Sequence, residues 1–129
     1  RGDLPVKRDV DVTDEDIARN HIVLFGDPGS NRLLERILGE LPLGWTRTEV
    51  NLAGRFAAGD HVPVFIAPNR LSPNHYVVVN SGHTFDEAAF AGTNALLYPR
   101  LGDYAVLQIG EGKDNLKVSG YFDERWKLK

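Results

Sequence analysis

Short apolar runs alternate with polar loops along most of the chain. His21-Ile22-Val23-Leu24-Phe25 is apolar at successive positions, as in a central parallel strand covered by helices on both faces. The run stops at Gly26-Asp27-Pro28-Gly29-Ser30-Asn31, and Leu33, Leu34, Ile37, Leu38 and Leu41 then fall on one helical stripe. The pattern predicts a strand over 21–26, a tight loop and a helix from Asn31 to Leu41, stopped by Pro42 and Gly44. Trp45 to Leu52 alternates loosely, Ala53-Gly54 turns and Arg55-Phe56-Ala57 returns, which predicts an antiparallel ribbon over 45–57. His61–Ala67 reads as a second buried strand, with Pro63 near its start or on an edge. Asn69–Asn74, punctuated by Pro68 and Pro73, reads as a loop, and the β-branched stretch Tyr76–Asn80 as a third strand. Ser81-Gly82-His83-Thr84 is a turn in which Thr84 caps a helix from Asp86 to about Leu97, weakened by Gly92. Tyr104–Ile109 is a fourth strand, Gly110–Asn115 a polar turn, and Leu116–Phe122 pairs back as an edge hairpin.

Before the first strand, residues 1–12 read as an arm in which charges and Pro5 alternate with single valines. Thr13 followed by Asp14, Glu15 and Asp16 gives an N-cap and an acidic first turn, predicting a short helix over 14–19. The chain therefore divides into an arm with a short helix, 1–20, and a single α/β domain, 21–129. Two predicted helices lie between strands that read as parallel. Right-handed crossovers then give a three-layer α/β sandwich, Rossmann-like or flavodoxin-like in outline, with a mixed sheet and antiparallel edge additions.

Composition narrows the chemistry. Apolar residues make up 42% and charged residues 26% of 129, ordinary for a globular domain large enough to bury a core. A net charge of −3 leaves no basic footprint for nucleic acid, and no apolar run is long enough to span a membrane. The absence of cysteine excludes disulfides, thiolate catalysis and cysteine-based zinc sites. The chain also lacks methionine, even at position 1, so Arg1 is expected to be a processed or cut end of a longer polypeptide.

In open α/β sheets, ligands sit where loops leave the carboxyl ends of strands. Gly26, Asp27, Gly29, Ser30 and Asn31 occupy such a loop, and glycines there would let backbone amides approach an anion. The loop matches neither nucleotide-binding glycine motif, so the plainer reading is a tight turn with Ser30 or Asn31 capping the helix. Asn80, Ser81 and His83 lie at another strand end, but Val79 and Asn80 before Ser81 break the nucleophile elbow G-x-S-x-G. Asn69 completes the candidate ligand-binding set. His21, His61, His75 and His83 show no metal-ligand spacing, so no metal and no cofactor is expected. Trp45, Trp126, Tyr76 and Tyr104 would suit a sugar-stacking platform and equally suit a core.

The ordered segments His21–Asn31, His61–Asn69, Tyr76–Phe85, Asp103–Leu107 and Gly120-Tyr121-Phe122-Asp123-Glu124-Arg125-Trp126 carry a resemblance. Over about residues 10–129 the chain resembles the C-terminal region of large bacterial prolyl-oligopeptidase-like or esterase-like α/β-hydrolases, frequent in planctomycetes and acidobacteria. The resemblance implies that the serine nucleophile and its partners lie upstream, in a hydrolase domain of the same polypeptide. No catalytic residue carries over onto this chain. Many such proteins are exported, which implies a periplasmic or extracellular location with the parent protein.

The reading that results is a non-catalytic accessory domain that packs against, or presents substrate to, an upstream serine-hydrolase domain. The first alternative is a small-ligand or anion site, enzymatic or not, at the carboxyl edge of the sheet. The second is a purely structural or interaction domain. A ligand site predicts a concave pocket holding several of the named residues. A structural domain predicts that they satisfy one another. An interface predicts an exposed apolar patch, expected around Trp45 and Phe56.

Overall fold

A computed structural model describes residues 5–39, 41, 43–80, 102–109 and 116–129. After a 3₁₀ turn at Asp9–Asp11 come α1 (Asp14–Arg19), β1 (Ile22–Leu24) and α2 (Arg32–Leu38). Three short strands follow, β2 (Gly44–Trp45), β3 (Glu49–Asn51) and β4 (Arg55–Ala57). The long pair β5 (His61–Asn69) and β6 (Ser72–Val79) precedes β7 (Tyr104–Gln108) and β8 (Leu116–Gly120).

Local sequence explains both helices. Thr13 Oγ1 accepts the Asp16 amide at 3.1 Å while Asp16 Oδ2 accepts the Thr13 amide at 3.0 Å, a reciprocal capping box. Lys7 Nζ lies 2.8 Å from the same carboxylate. That ammonium, with the Thr13 amide, lowers the Asp16 carboxyl to about 2. In α2, Asn31 Oδ1 accepts the amides of Leu33 at 3.0 Å and Leu34 at 3.1 Å. Leu33, Leu34 and Ile37 bury the predicted stripe. Gly39 caps the helix, earlier than the expected stop at Leu41.

The main sheet has five strands in the order β1-β6-β5-β7-β8. β1 and β6 are parallel, and every other neighbouring pair in this sheet is antiparallel. The strands β1, β6 and β7 thus run one way, and β5 and β8 the other. Strands β2, β3 and β4 form a separate antiparallel sheet, which adds one strand to the expected two-stranded ribbon.

One face of the main sheet supplies Leu24, Phe65, Ala67, Val77, Val79, Tyr104 and Val106 to the principal core, where they meet Ile17 of α1, the stripe of α2, and Val50 and Leu52 of the small sheet. Trp45 and Phe56 also pack against this core, so the ribbon carries no exposed aromatic patch of the kind expected. The opposite face holds a smaller cluster of Val64, Ala105 and Leu107 with Val62 against it.

The α/β class and the mixed sheet agree with the sequence pattern. The Rossmann-like or flavodoxin-like outline does not, because the central strand β5 is antiparallel to both neighbours and the described residues are richer in strand than a three-layer sandwich. The cause is the segment read as a loop over Asn69–Asn74. It is a hairpin whose turn is only Arg70 and Leu71, and so short a link joins only antiparallel strands. Pro73 is accommodated in an irregularity: Tyr76 pairs with Pro68 and Ser72 with Asn69, leaving the intervening residues of β6 off the ladder. Pro63 pairs with Val106 beyond the end of β6, whose last residue, Val79, faces Phe65. The predicted helix over Asp86–Leu97 and the turn over Gly110–Asn115 lie outside the described residues.

Candidate functional site

The loop Gly26–Asn31 leaves the carboxyl end of β1, as the sequence pattern indicates. Its polar groups are turned on one another. Asp27 Oδ1 accepts the amides of Gly29 at 2.8 Å and Ser30 at 2.9 Å. Ser30 Oγ accepts the Asp27 amide at 3.0 Å and donates to the Asp27 carbonyl at 3.2 Å. That carbonyl also accepts the Asn31 amide at 2.9 Å. Asn31 Nδ2 donates to the Phe25 carbonyl at 3.0 Å while its Oδ1 caps α2. Gly26 has φ +97°, and a Cβ there would meet Ser30 Oγ at 2.7 Å, so the glycine closes the turn rather than opening a cradle.

The N-terminus of α2 is used up in the same way. Its first amide, from Arg32, donates to Asp9 Oδ2 at 2.8 Å, and this bond holds the Asp9 carboxyl below its usual range. A shallow groove of about 240 Å³ beside it is lined by Asp9, Val10, Val12, Arg32, Leu33 and Arg36. None of the described sequence-predicted site residues lines this groove. Replacing Asn31 by alanine removes two capping bonds and the tie to Phe25. It should lower stability by about 1–2 kcal/mol in urea denaturation, a cost that a solvent-facing ligand residue would not carry.

Of the other predicted residues, the two that are described, Asn80 and Asn69, lie at opposite ends of the sheet. Asn80 lies beside the loop, its amide donating to the Leu24 carbonyl at 2.8 Å. Asn69 is at the opposite end of the sheet, because β5 runs against β1 and β6. There it is fully buried, its Oδ1 accepting the Leu71 amide at 3.0 Å across the hairpin turn and its Nδ2 unpartnered. Ser81 and His83 lie outside the described residues. Among the described residues, Asn69 is therefore separated from the self-satisfied loop that Asn80 borders.

Two histidine constellations had little sequence signal. At the carboxyl edge of β7, His61 Nδ1 lies 2.7 Å from Asp60 Oδ1 and 3.0 Å from the Ala57 carbonyl. Both partners accept, so Nδ1 carries a proton. Gln108 Nε2 donates to Asp60 Oδ2 at 3.0 Å, and this bond, followed by that of His61, lowers the Asp60 carboxyl. The arrangement orients an imidazole as in the base half of a catalytic triad, yet no described hydroxyl contacts it. Its evident work is to latch the small sheet, through Ala57, to β5 and β7.

At the other end of the sheet, His21 stands before β1 and His75 within β6, their rings 5.1 Å apart and edge-on. His21 stacks on Tyr76 with centroids 5.7 Å apart, and Tyr76 meets Trp126 at 5.7 Å. Trp126 meets Phe122, which packs on the buried Tyr104. Of the four aromatics that would suit a sugar platform, only Tyr76 and Trp126 meet; Trp45 and Tyr104 serve the core. Trp126 has φ +60°, rare for so bulky a residue, and is held by Asp123, whose Oδ1 accepts the amides of Arg125 at 2.8 Å and Lys127 at 2.9 Å.

Among the described residues, no three His, Asp or Glu side chains gather as a metal site, and no helix is long and apolar enough to cross a membrane. His21 Nδ1 accepts the Tyr76 amide at 2.9 Å, so the neutral ring carries its proton on Nε2 and offers no lone pair there for a metal. No family model, curated protein or solved structure matches the chain.

Proposed function

We propose that this chain is a non-catalytic accessory domain of a larger bacterial serine hydrolase, packing against or presenting substrate to a catalytic domain in the same polypeptide. The observation that carries the reading is the closed hydrogen-bond set of Asp27, Ser30 and Asn31, which spends the best-placed polar loop on its own architecture. The Asp60–His61 pair lacks a nucleophile among the described residues, which also favours a domain without its own chemistry. Val23 and Phe25, 53% and 57% exposed, offer apolar contact beside that loop. The resemblance to such hydrolases would imply export together with the parent protein. The finer three-layer form of the fold belongs to the same proposal and is supported by the burial of Val64, Ala105 and Leu107 on the second face.

The test is direct. The purified chain is incubated with p-nitrophenyl acetate and butyrate beside a Ser81→Ala variant. Both proteins should give the same background rate as an inert protein at equal concentration. Ester cleavage by the parent chain that disappears in Ser81→Ala would instead establish an autonomous hydrolase and sink the accessory reading.

A further inference from the structure

The joint between β1 and β6 is the only parallel pairing among the described strands, and it is three residue pairs long. It ties the segment bearing α1 to the main sheet. Its register, Ile22 with Val77, sets His21 against Tyr76. The Tyr76 amide does not donate to a carbonyl there. It donates to the imidazole Nδ1 of His21 at 2.9 Å.

That acceptor exists only while the ring is neutral, because a proton on Nδ1 turns it into a donor facing another donor. Imidazole is the side chain whose ordinary titration crosses the range between about pH 5 and 8. We propose that His21 is a proton-operated latch on the β1–β6 joint: neutral His21 closes it, and protonated His21 releases it while the antiparallel strands stay paired.

No ion pair involving His21 forms among the described residues. From β6, His21 meets His75, a second titratable ring at 5.1 Å, and Tyr76. His75 Nδ1 is engaged with Ser72 Oγ at 2.9 Å, and that hydroxyl lies 3.5 Å from the Ala18 carbonyl of α1. On α1, Asp16 is paired with Lys7 and Glu15 with Arg19. The hairpin turn between β5 and β6 carries the exposed Arg70. The C-terminal turn that holds Trp126 carries the exposed Arg125 and Lys127, whose backbone amides donate to the Asp123 carboxylate. Among the described residues, no carboxylate comes within 4.0 Å of either His21 or His75. Protonation therefore removes a hydrogen bond and places a cation against a second imidazole, with no described carboxylate within 4.0 Å to pair with it.

Amide hydrogen exchange at pH 7.5 and pH 5.0, corrected for intrinsic rates, tests the latch. Acidification should raise exchange at Tyr76 and across Ile22–Leu24 about fivefold, the size expected for one lost hydrogen bond. Amides of β5 and β7 should stay protected. His21→Asn places an oxygen acceptor near the position of Nδ1 without a titratable group, so its Tyr76 amide should be protected equally at both pH values. An unchanged Tyr76 amide in the parent chain would refute the latch, as would an equal acid response in His21→Asn. Ring ¹⁵N shifts of the parent chain at pH 7.5 give a check independent of the variant's folding. They should report a proton on Nε2 of His21, and a proton on Nδ1 would overturn the proposal.

Discussion

Leu34→Ala is expected to remove about 3–4 kcal/mol of folding stability, measured by urea denaturation of the purified chain. Leu34 is fully buried, and so is Ile37 one turn further on. Both belong to the cluster that joins α2 to Leu24, Val77 and Val79 on one face of the main sheet. Helix propensity does not offset the loss, since alanine exceeds leucine by only a few tenths of a kcal/mol. A helix as short as α2 has little stability of its own and depends on that packing. Glu35→Ala, on the exposed side of the same helix, should change stability by less than about 0.5 kcal/mol. Equal small effects at both positions would mean that α2 does not pack on the sheet as described.

The same stripe shows why part of the fold was legible in the sequence. Leu33, Leu34 and Ile37 repeat with the helical period, and Asn31 stands at the position a cap requires, so pattern and local chemistry agree. The capping box at Thr13 is equally local, closing across three residues. Strand direction was not local in this way. Pro68 and Pro73 have the composition of a loop, and only the irregular pairing around Asn69 lets two prolines stand in paired strands. Taking that stretch for a loop hid a two-residue hairpin turn, and with it the antiparallel setting of β5.

The candidate site divides along the same line. Asp27, Ser30 and Asn31 bond within a few residues of one another, and the capped-turn reading follows from their spacing. Asn69 was grouped with them as part of the sheet's carboxyl edge; β5 runs against β1 and β6, which puts Asn69 at the far end. The bond from Tyr76 to His21 spans 55 residues and depends on the register of β1 against β6, which no local pattern encodes. Asp60 and His61 are neighbours in sequence, but their joint hold on Ala57 and Gln108 requires the ribbon to fold back onto the sheet. Chemistry that depends on non-local register was the part the sequence did not disclose.

Gly102→Ala should be the other severe substitution, costing about 3 kcal/mol or more. Gly102 has φ +66°, a left-handed conformation that costs an L-residue about 1–2 kcal/mol. It also bridges Gly120 at the entry to the β7–β8 pair, and a Cβ there would come within 2.9 Å of the Gly120 carbonyl carbon. The obstacle is backbone, so no side-chain rotation relieves it. Moving Gly120 would disturb three further bonds at the same corner. The Asp103 amide donates to the Gly120 carbonyl at 2.8 Å, the Ile66 amide to the Asp103 carbonyl at 2.9 Å, and the Phe122 amide to Asp103 Oδ2 at 3.0 Å. Overpacking of this kind adds about 1–3 kcal/mol to the conformational term. Gly59→Ala is the matched control, because a Cβ there meets nothing within 4 Å and its φ lies outside the left-handed range. It should leave stability unchanged or raise it by about 0.5 kcal/mol through the unfolded state. Thermal and urea unfolding of the two variants side by side separates the positions. A Gly102→Ala protein as stable as Gly59→Ala would mean that β8 does not close against β7 through Gly120, and the C-terminal turn that carries Phe122 and Trp126 would lose its anchor in the fold.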